Sequence, residues 1–385
     1  MLRVLLRSLC ALVAAVATAL VGWRVLGPAE VVAPAATPYP APGHQAAGVT
    51  GHTSVAPLIV DGRIRVYAAK RQVRADGPAN GEVVYTPRWS FRRWPAQLSG
   101  VVAVGRQVIS RWSDGELVAI DGASGEIVWR ASGPSAPGYR GQRTGSATVW
   151  QPPGLHVSGG LVVVSGGGNL AGYDSSTGAR RWALTVPSGC TDGFTTAGGQ
   201  YVCPTGAYDV ATGSVVASFP AGPYTAVGCE VAASACAGLR DGAGHGWFTS
   251  GTVARRVEVL DRPGSTIAAG LVLYRDDGLL RAASPDGTVL RSYRGDEWVL
   301  GGSGDKILLC TPGHYLHVVN PRSALGTIAD FALRTYDEGR LDWDPGRWQI
   351  VGRYLAIERL ATDRPVRPDQ PGYFFSIDPV LIAAV

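Results

Sequence analysis

The chain has 385 residues, 46% of them hydrophobic and 17% charged, with a formal net charge of +5; this is the balance of an ordered globular protein and excludes a disordered one. With Arg3, Arg7, Arg24 and Glu30 set aside, 32 basic and 29 acidic residues remain, a surplus too mild to argue for nucleic acid as a partner. The 52 glycines and 26 prolines follow no three-residue period, and point to an all-β chain of short strands joined by tight turns that need positive φ.

The N-terminus, MLRVLLRSLCALVAAVATALVGWRVLG, places Arg3 and Arg7 before an uncharged run from Ser8 to Trp23. That run is shorter than the ~20 residues of a comfortable membrane-spanning helix and longer than many signal-peptide cores. A signal anchor and a cleaved signal peptide are both open. The anchor is preferred because Trp23 and Arg24 make an interfacial end, and the positive flank predicts export of the chain beyond it. Residues 1–26 are thus expected as one N-terminal hydrophobic helix, single-pass in the cell membrane, with the rest outside the cytoplasm, or secreted if the segment is cleaved. Residues 27–56 are rich in Pro, Ala and Gly without apolar periodicity, which predicts an extended linker.

From residue 57 onward a unit recurs: a β-rich stretch, Asp-x-x-(Ser/Thr)-Gly, and a closing aromatic. Residues 116–129 read ELVAIDGASGEIVW, 170–182 LAGYDSSTGARRW and 207–219 AYDVATGSVVASF. Fainter copies are LLRAASPDGTVLRSY at 279–293, YLHVVNPRSALGTI at 315–328, a stretched VRADGPANGEVVY at 73–85, and a truncated FFSIDPVLIAAV at the C-terminus. Asp121, Asp174 and Asp209 would cap a turn through their own backbone. Gly125, Gly178 and Gly213 would supply the positive φ, and Trp129, Trp182 and Phe219 would anchor the next strand. Steps of 53, 35, 75 and 36 residues separate the capping positions Asp121, Asp174, Asp209, Ser284 and Asn320. The longest step holds two units, the extra one lying around HGWFTSGTVARRVEVL. A period near forty with about four strands per unit is that of propeller blades, and 57–385 is expected to form eight, with seven as the alternative.

Beyond the N-terminal segment the cysteines are Cys190, Cys203, Cys229, Cys236 and Cys310. Cys203, Cys236 and Cys310 fall on second strands of their blades and Cys190 and Cys229 near first strands. Local pairs Cys190 with Cys203 and Cys229 with Cys236 are therefore expected in an oxidising compartment, leaving Cys310 a buried thiol. No CxxC occurs, so neither a redox pair nor a zinc knuckle is supported.

IDGASGEIVWR and YDSSTGARRWAL resemble the pyrroloquinoline-quinone (PQQ) repeat, Ala-x-Asp-x-x-Thr-Gly-x-x-x-Trp. That repeat is the blade signature of quinoprotein dehydrogenases and of the propeller subunit in the bacterial outer-membrane barrel assembly machine. The resemblance implies that Trp129 and Trp182 pack between blades, with Phe219 and Tyr293 as substitutes at that position. It also invites quinoprotein catalysis, which in that family uses two adjacent cysteines, a Trp beneath the quinone, and acidic and amide ligands to Ca²⁺ beside a catalytic Asp. This chain has no adjacent cysteine pair, so no cofactor and no catalytic residue are expected.

Other motifs read as architecture. His314 and His317 stand three apart, which on a strand turns the rings to opposite faces and disfavours a shared metal. LDWDPGRW at 341–348 lacks the distal ligands of a calcium loop and reads as a turn, and SGGGNLAG at 165–172 joins two strands and reads as a hairpin. Two stretches are candidate interaction surfaces: PRWSFRRWP at 87–95, which crowds Arg88, Trp89, Arg92, Arg93 and Trp94, and the insertion at 131–155. The function expected is a membrane-tethered, non-catalytic scaffold for an envelope or secreted protein partner. The alternatives are a binding module for a sugar or cell-wall polymer and a quinoprotein dehydrogenase using PQQ and calcium.

Overall fold

A computed structural model describes residues 11–18, 22, 29–43, 45–80, 86–187, 189–229, 234–335 and 342–385. Residues 11–18 are helical, and among the described residues no helix is long and apolar enough to cross a membrane. Most of the expected anchor lies outside the described residues. From Gly48 onward the chain is a ring of eight antiparallel sheets.

Blade 1 runs from Leu58 to Trp94, blade 2 from Leu98 to Ser132, blade 3 from Leu155 to Thr185 and blade 4 from Phe194 to Asp209. Blade 5 runs from Thr225 to Arg256, blade 6 from Thr266 to Arg294, blade 7 from Trp298 to Ala332, and blade 8 begins at Trp343. Blades 2 to 7 add their strands in sequence order, so the first lines the channel and the last lies outermost. The sequence repeat is the hairpin of third and fourth strands: Glu116–Asp121 with Ile127–Ser132, and Asn169–Asp174 with Arg180–Thr185. The decayed unit at 245–260 supplies the last two strands of blade 5, Gly246–Phe248 and Arg255–Arg256.

A four-stranded sheet cannot bury both faces by itself, and here each face packs on a neighbour. One apolar cluster joins blades 8, 1 and 2 through Val60, Trp112, Ala356 and Ile382. Six others join the remaining successive pairs, such as Leu117 with Val162 between blades 2 and 3, and Leu308 with Leu355 between blades 7 and 8.

The Asp-to-Gly turn builds a staple across these interfaces. Asp121 Oδ1 accepts from the N–H groups of Ala123 and Ser124 at 2.9 Å, Asp174 Oδ1 from Ser176 and Thr177 at 3.0 and 3.1 Å, and Asp209 Oδ1 from Thr212 at 2.9 Å. Gly125, Gly178 and Gly213 close the turns at φ of 76°, 72° and 76°. Each glycine also lies under an indole from the preceding blade: a Cβ on Gly178 would stand 2.5 Å from the ring of Trp129, and one on Gly213 2.8 Å from that of Trp182. The indole N–H then donates to the carbonyl just after the Asp, Trp129 to Ser175 at 2.9 Å and Trp182 to Val210 at 2.7 Å. Trp89 repeats the arrangement against Gly125 and donates to Gly122 at 2.9 Å. The closing aromatic of the first, stretched copy is thus Trp89; the expected one, Tyr85, lies outside the described residues.

The linker expected at 27–56 requires correction. Ala29–Ala33 pairs with Ser90–Trp94 as a fifth, outermost strand of blade 1. Gly48–Thr53 pairs with the C-terminal strand Val380–Ala384, completing blade 8 and closing the ring. Blade 4 departs the other way, with three strands. Its fourth position keeps only a Tyr208–Val215 bridge and the bond from Val216 N–H to the Ala207 carbonyl, because Pro220 and Pro223 beyond it lack ladder donors.

Cys190 is bonded to Cys203 and Cys229 to Cys236, both within the sector of blades 4 and 5. Cys310 is a buried free thiol, its pKa pushed up to about 12 by burial.

Candidate docking face

The stretch 87–95 forms the strand Thr86–Trp94, and the partner strand Ala29–Ala33 covers it. Arg88 is buried, its guanidinium bound by Thr37 Oγ1 at 3.0 Å and by the carbonyls of Pro38, Thr37 and Ala123 at 2.8 to 3.1 Å. Trp89 is buried as an inter-blade staple, and Arg71 lies over the Trp94 ring at 3.6 Å. Arg93 pairs with Glu30 at 2.8 Å, Asp114 at 3.0 Å and Glu116 at 2.5 Å. Arg92 alone of the five is exposed. The interaction surface expected here is instead an internal seam, since an edge strand with an arginine-rich outer row recruits another strand and its carboxylates.

The insertion at 131–155 is also consumed by the fold. Arg111, fully buried, donates to the carbonyls of Pro134, Ser135, Pro153, Gly154 and Ser165 at 2.8 to 3.2 Å, tying both ends of the insertion to blades 2 and 3. Desolvation lowers its pKa to about 10, which leaves it charged at neutral pH. The one-turn helix Ser146–Val149 then packs on blades 1 and 2 and lines the channel through Val149. Trp150, buried, donates to the Pro57 carbonyl at 2.8 Å, Thr144 bonds to the buried carboxylate of Glu358, and Arg347 reaches Gln151 at 2.9 Å. Insertion, blade 1 and blade 8 are thereby locked together as a plug.

The remaining motifs take places in the blades. SGGGNLAG is the hairpin between Leu161–Gly166 and Asn169–Asp174. Within LDWDPGRW, Trp343–Trp348 is not a turn but the start of the first strand of blade 8, bulged between Pro345 and Trp348, with Asp344 paired to Arg364 at 2.6 Å. His314 and His317 part company as their spacing predicts. His314 is buried against Trp343, ring centroids 4.2 Å apart, while His317 stands 3.0 Å from Glu297 and 3.5 Å from Asp330. Burial raises the Glu297 carboxyl above its ordinary range, against the opposing pull of His317.

An exposed aromatic groove lies elsewhere, on the plugged face between blades 6, 7 and 8. Its cavity of about 570 Å³ is lined by Leu273, Arg275, Trp298, Pro345, Trp348 and Arg364, among others. Trp298 and Trp348 are each 37% exposed. Trp298 has its ring centroid 6.4 Å from that of His314, the planes inclined by 30°, and Trp348 is oriented by its N–H bond to the Leu300 carbonyl. Arg275 donates to the carbonyls of Gly295 and Glu297 at 2.7 Å each and pairs with no carboxylate among the described residues. With Arg364 neutralised by Asp344, the groove carries a positive balance. It adjoins the plugged end of the channel through Thr266, Val299 and Trp348, where a second cavity of about 500 Å³ includes Gln151 and Arg347. The available sequence signal was that these two tryptophans, unlike Trp129 and Trp182, follow no Asp-to-Gly turn at staple spacing.

Residues 43–216 match the family model described as outer membrane protein assembly factor BamB. The matched stretch spans blades 1 to 4 of the eight-bladed β-propeller. Solved structures similar to this propeller include BamB from Moraxella catarrhalis, 16% identical, covering 89% of this chain and 98% of that one with a TM-score of 0.44. The C-terminal WD40 domain of Sif2 is 11% identical, with coverages of 89% and 99% and a TM-score of 0.48. The computationally designed Ika8 protein is 10% identical, with coverages of 87% and 100% and a TM-score of 0.42. No curated protein matches the chain.

A quinone with its calcium ion is a poor fit for the described part of this propeller's channel. Its lining is mostly Ala, Gly, Val and Ile, with Asp61 the one carboxylate and Arg347 the one cation. Among the described residues no three His, Cys, Asp or Glu side chains are grouped to hold a metal. Oxygen-rich coordination of calcium has no such donor set to draw on.

Proposed function

We propose that this PQQ-like propeller is a non-catalytic, extracytoplasmic protein-interaction scaffold, tethered to a membrane by its N-terminal segment. Its polypeptide partner docks on the plugged face of blades 6 to 8. The observation that carries this reading is the groove of Trp298 and Trp348 beside Arg275: half-exposed indoles and an arginine are the residue types that dominate interface hot spots. The rigid, closed ring beneath supports it, because a pre-organised surface loses little entropy on binding. The two disulfides accord with an oxidising compartment, and the matched family's description is that of an assembly factor.

The test is a photo-crosslinking amino acid at position 348, introduced into the full-length protein in its own cells. We expect one envelope protein to be crosslinked. Purified, that protein should bind with an affinity that falls at least tenfold on Trp298→Ala and stays unchanged on Arg92→Ala. Indole faces also stack on sugar rings, so retention on cell-wall polysaccharide that depends on Trp298, with no protein crosslink, would replace this reading with the polymer-binding one. Dye reduction upon addition of PQQ and Ca²⁺ would replace it with the enzymatic one.

A further inference from the structure

The channel has a second chamber at the end away from the plug. It opens between the turns that join first to second strands in blades 1, 2, 7 and 8, at Asp61, Gly105, Gly304 and Gly352. Its volume is about 450 Å³, and its walls include Leu58, Val60, Val102, Val149, Val157 and Ile350. Val149 comes from the plug helix, so the insertion forms part of the wall. This volume lies in the range of sites for small organic ligands, roughly 300–1,000 Å³, which combine apolar walls with a few placed polar groups.

One polar group is placed within it. Gln349, on the first strand of blade 8, lines the chamber and is 4% exposed, yet its side-chain oxygen has no hydrogen-bond partner among the described residues. A buried amide oxygen left unpaired among aliphatic side chains is a desolvation cost with nothing to offset it, whereas a leucine there would incur no such cost. The Arg65, Arg111 and Arg359 guanidiniums belong to other interfaces and are not among the chamber's lining residues. The one carboxylate, Asp61, sits at the rim and is paired with Arg63 at 3.2 Å. An anionic ligand would meet Asp61 on entry, and a cationic one would lose its hydration against aliphatic walls.

We propose that this chamber binds a small, uncharged aliphatic molecule carrying one hydroxyl group, with its chain against Val60, Val102 and Ile350 and its hydroxyl donating to Gln349. The site is distinct from the docking groove, with which it has no lining residue in common.

The test uses the full-length protein and two probes of equal length, 1-octanol and 1-methoxyheptane, the second lacking the hydroxyl donor. Binding is followed by calorimetry. Saturable binding of octanol is expected, about fivefold tighter than that of the ether, as one net neutral hydrogen bond of about 1 kcal/mol provides. Gln349→Leu should remove that preference while retaining the ether, and Val351→Trp, which reduces the chamber from a less buried wall position, should weaken both. Equal affinity for the two probes, or no saturable binding of either by a folded protein, would overturn the proposal and leave Gln349 to hydration water only. Because Gln349→Leu reports the ratio between two ligands, a general loss of stability cannot imitate the expected result.

Discussion

Trp129 illustrates how one side chain joins two levels of structure. Its indole covers Gly178, donates to Ser175 and packs with Leu117 and Val162, so a single residue couples the turn of blade 3 to the core of blade 2. Trp129→Ala should lower unfolding free energy by about 3–5 kcal/mol, the range for large aromatic truncations, as read from urea denaturation. Gly178→Ala should also destabilise, because it combines a strained φ of 72° with a Cβ pressed into the same ring. Arg92→Ala, on an exposed side chain, should stay within about 0.5 kcal/mol of the parent, and a comparable loss there would show that the staple has no special weight. The Asp and Gly of the staple were legible because turn chemistry is local. That Trp89 belongs to the same set was not, because its glycine is Gly125, in another blade.

One strand escaped sequence reading because it buries almost nothing. Ala29–Ala33 is exposed along its whole length, so it needs no alternating apolar pattern, and its composition resembles a linker's. Backbone pairing and the ion pairs of Glu30 with Arg93 and Arg130 hold it. The hydrogen bond from Arg130, opposed by partial burial and aided by Arg93, holds the Glu30 carboxyl below its ordinary value of 4.5. A lowered folded-state pKa means that this contribution is complete above the unfolded value and is lost as pH falls through the folded one. The strand should therefore stay docked at neutral pH and release below pH 4.5. Amide exchange at Val31 and Val32 between pH 7 and 3, corrected for intrinsic exchange, checks this; Glu30→Gln should show faster exchange already at pH 7. Unchanged protection across that range would show that the backbone ladder suffices alone.

Closure of the ring depends on residues separated by almost the entire chain, since Gly48–Thr53 completes the sheet of Val380–Ala384. Every residue of that C-terminal strand is buried, and removing its partner would leave a bare apolar edge, an aggregation hazard. A protein beginning at residue 57 should melt lower than one beginning at residue 46, by on the order of 10 °C if several kcal/mol are lost, and should self-associate. Thermal melts with light scattering decide it; matching midpoints for the two would mean that eight blades close without the N-terminal strand.

The repeat period, the turn chemistry and the short-range cysteine pairs were decided by the sequence alone, because each depends on residues a few positions apart whose backbone preferences are intrinsic. The tertiary structure alone decided which surfaces remain exposed. The Arg and Trp residues at 88–94 read as a binding patch until Ala29–Ala33 arrives from the far side of the linker, and the insertion at 131–155 reads as a loop until Arg111 and Glu358 bind it into the wall of the channel. Trp298 and Trp348 converge from two blades on one groove. Exposure is a property of what packs on a residue from elsewhere in the chain, and only closing the ring determines it.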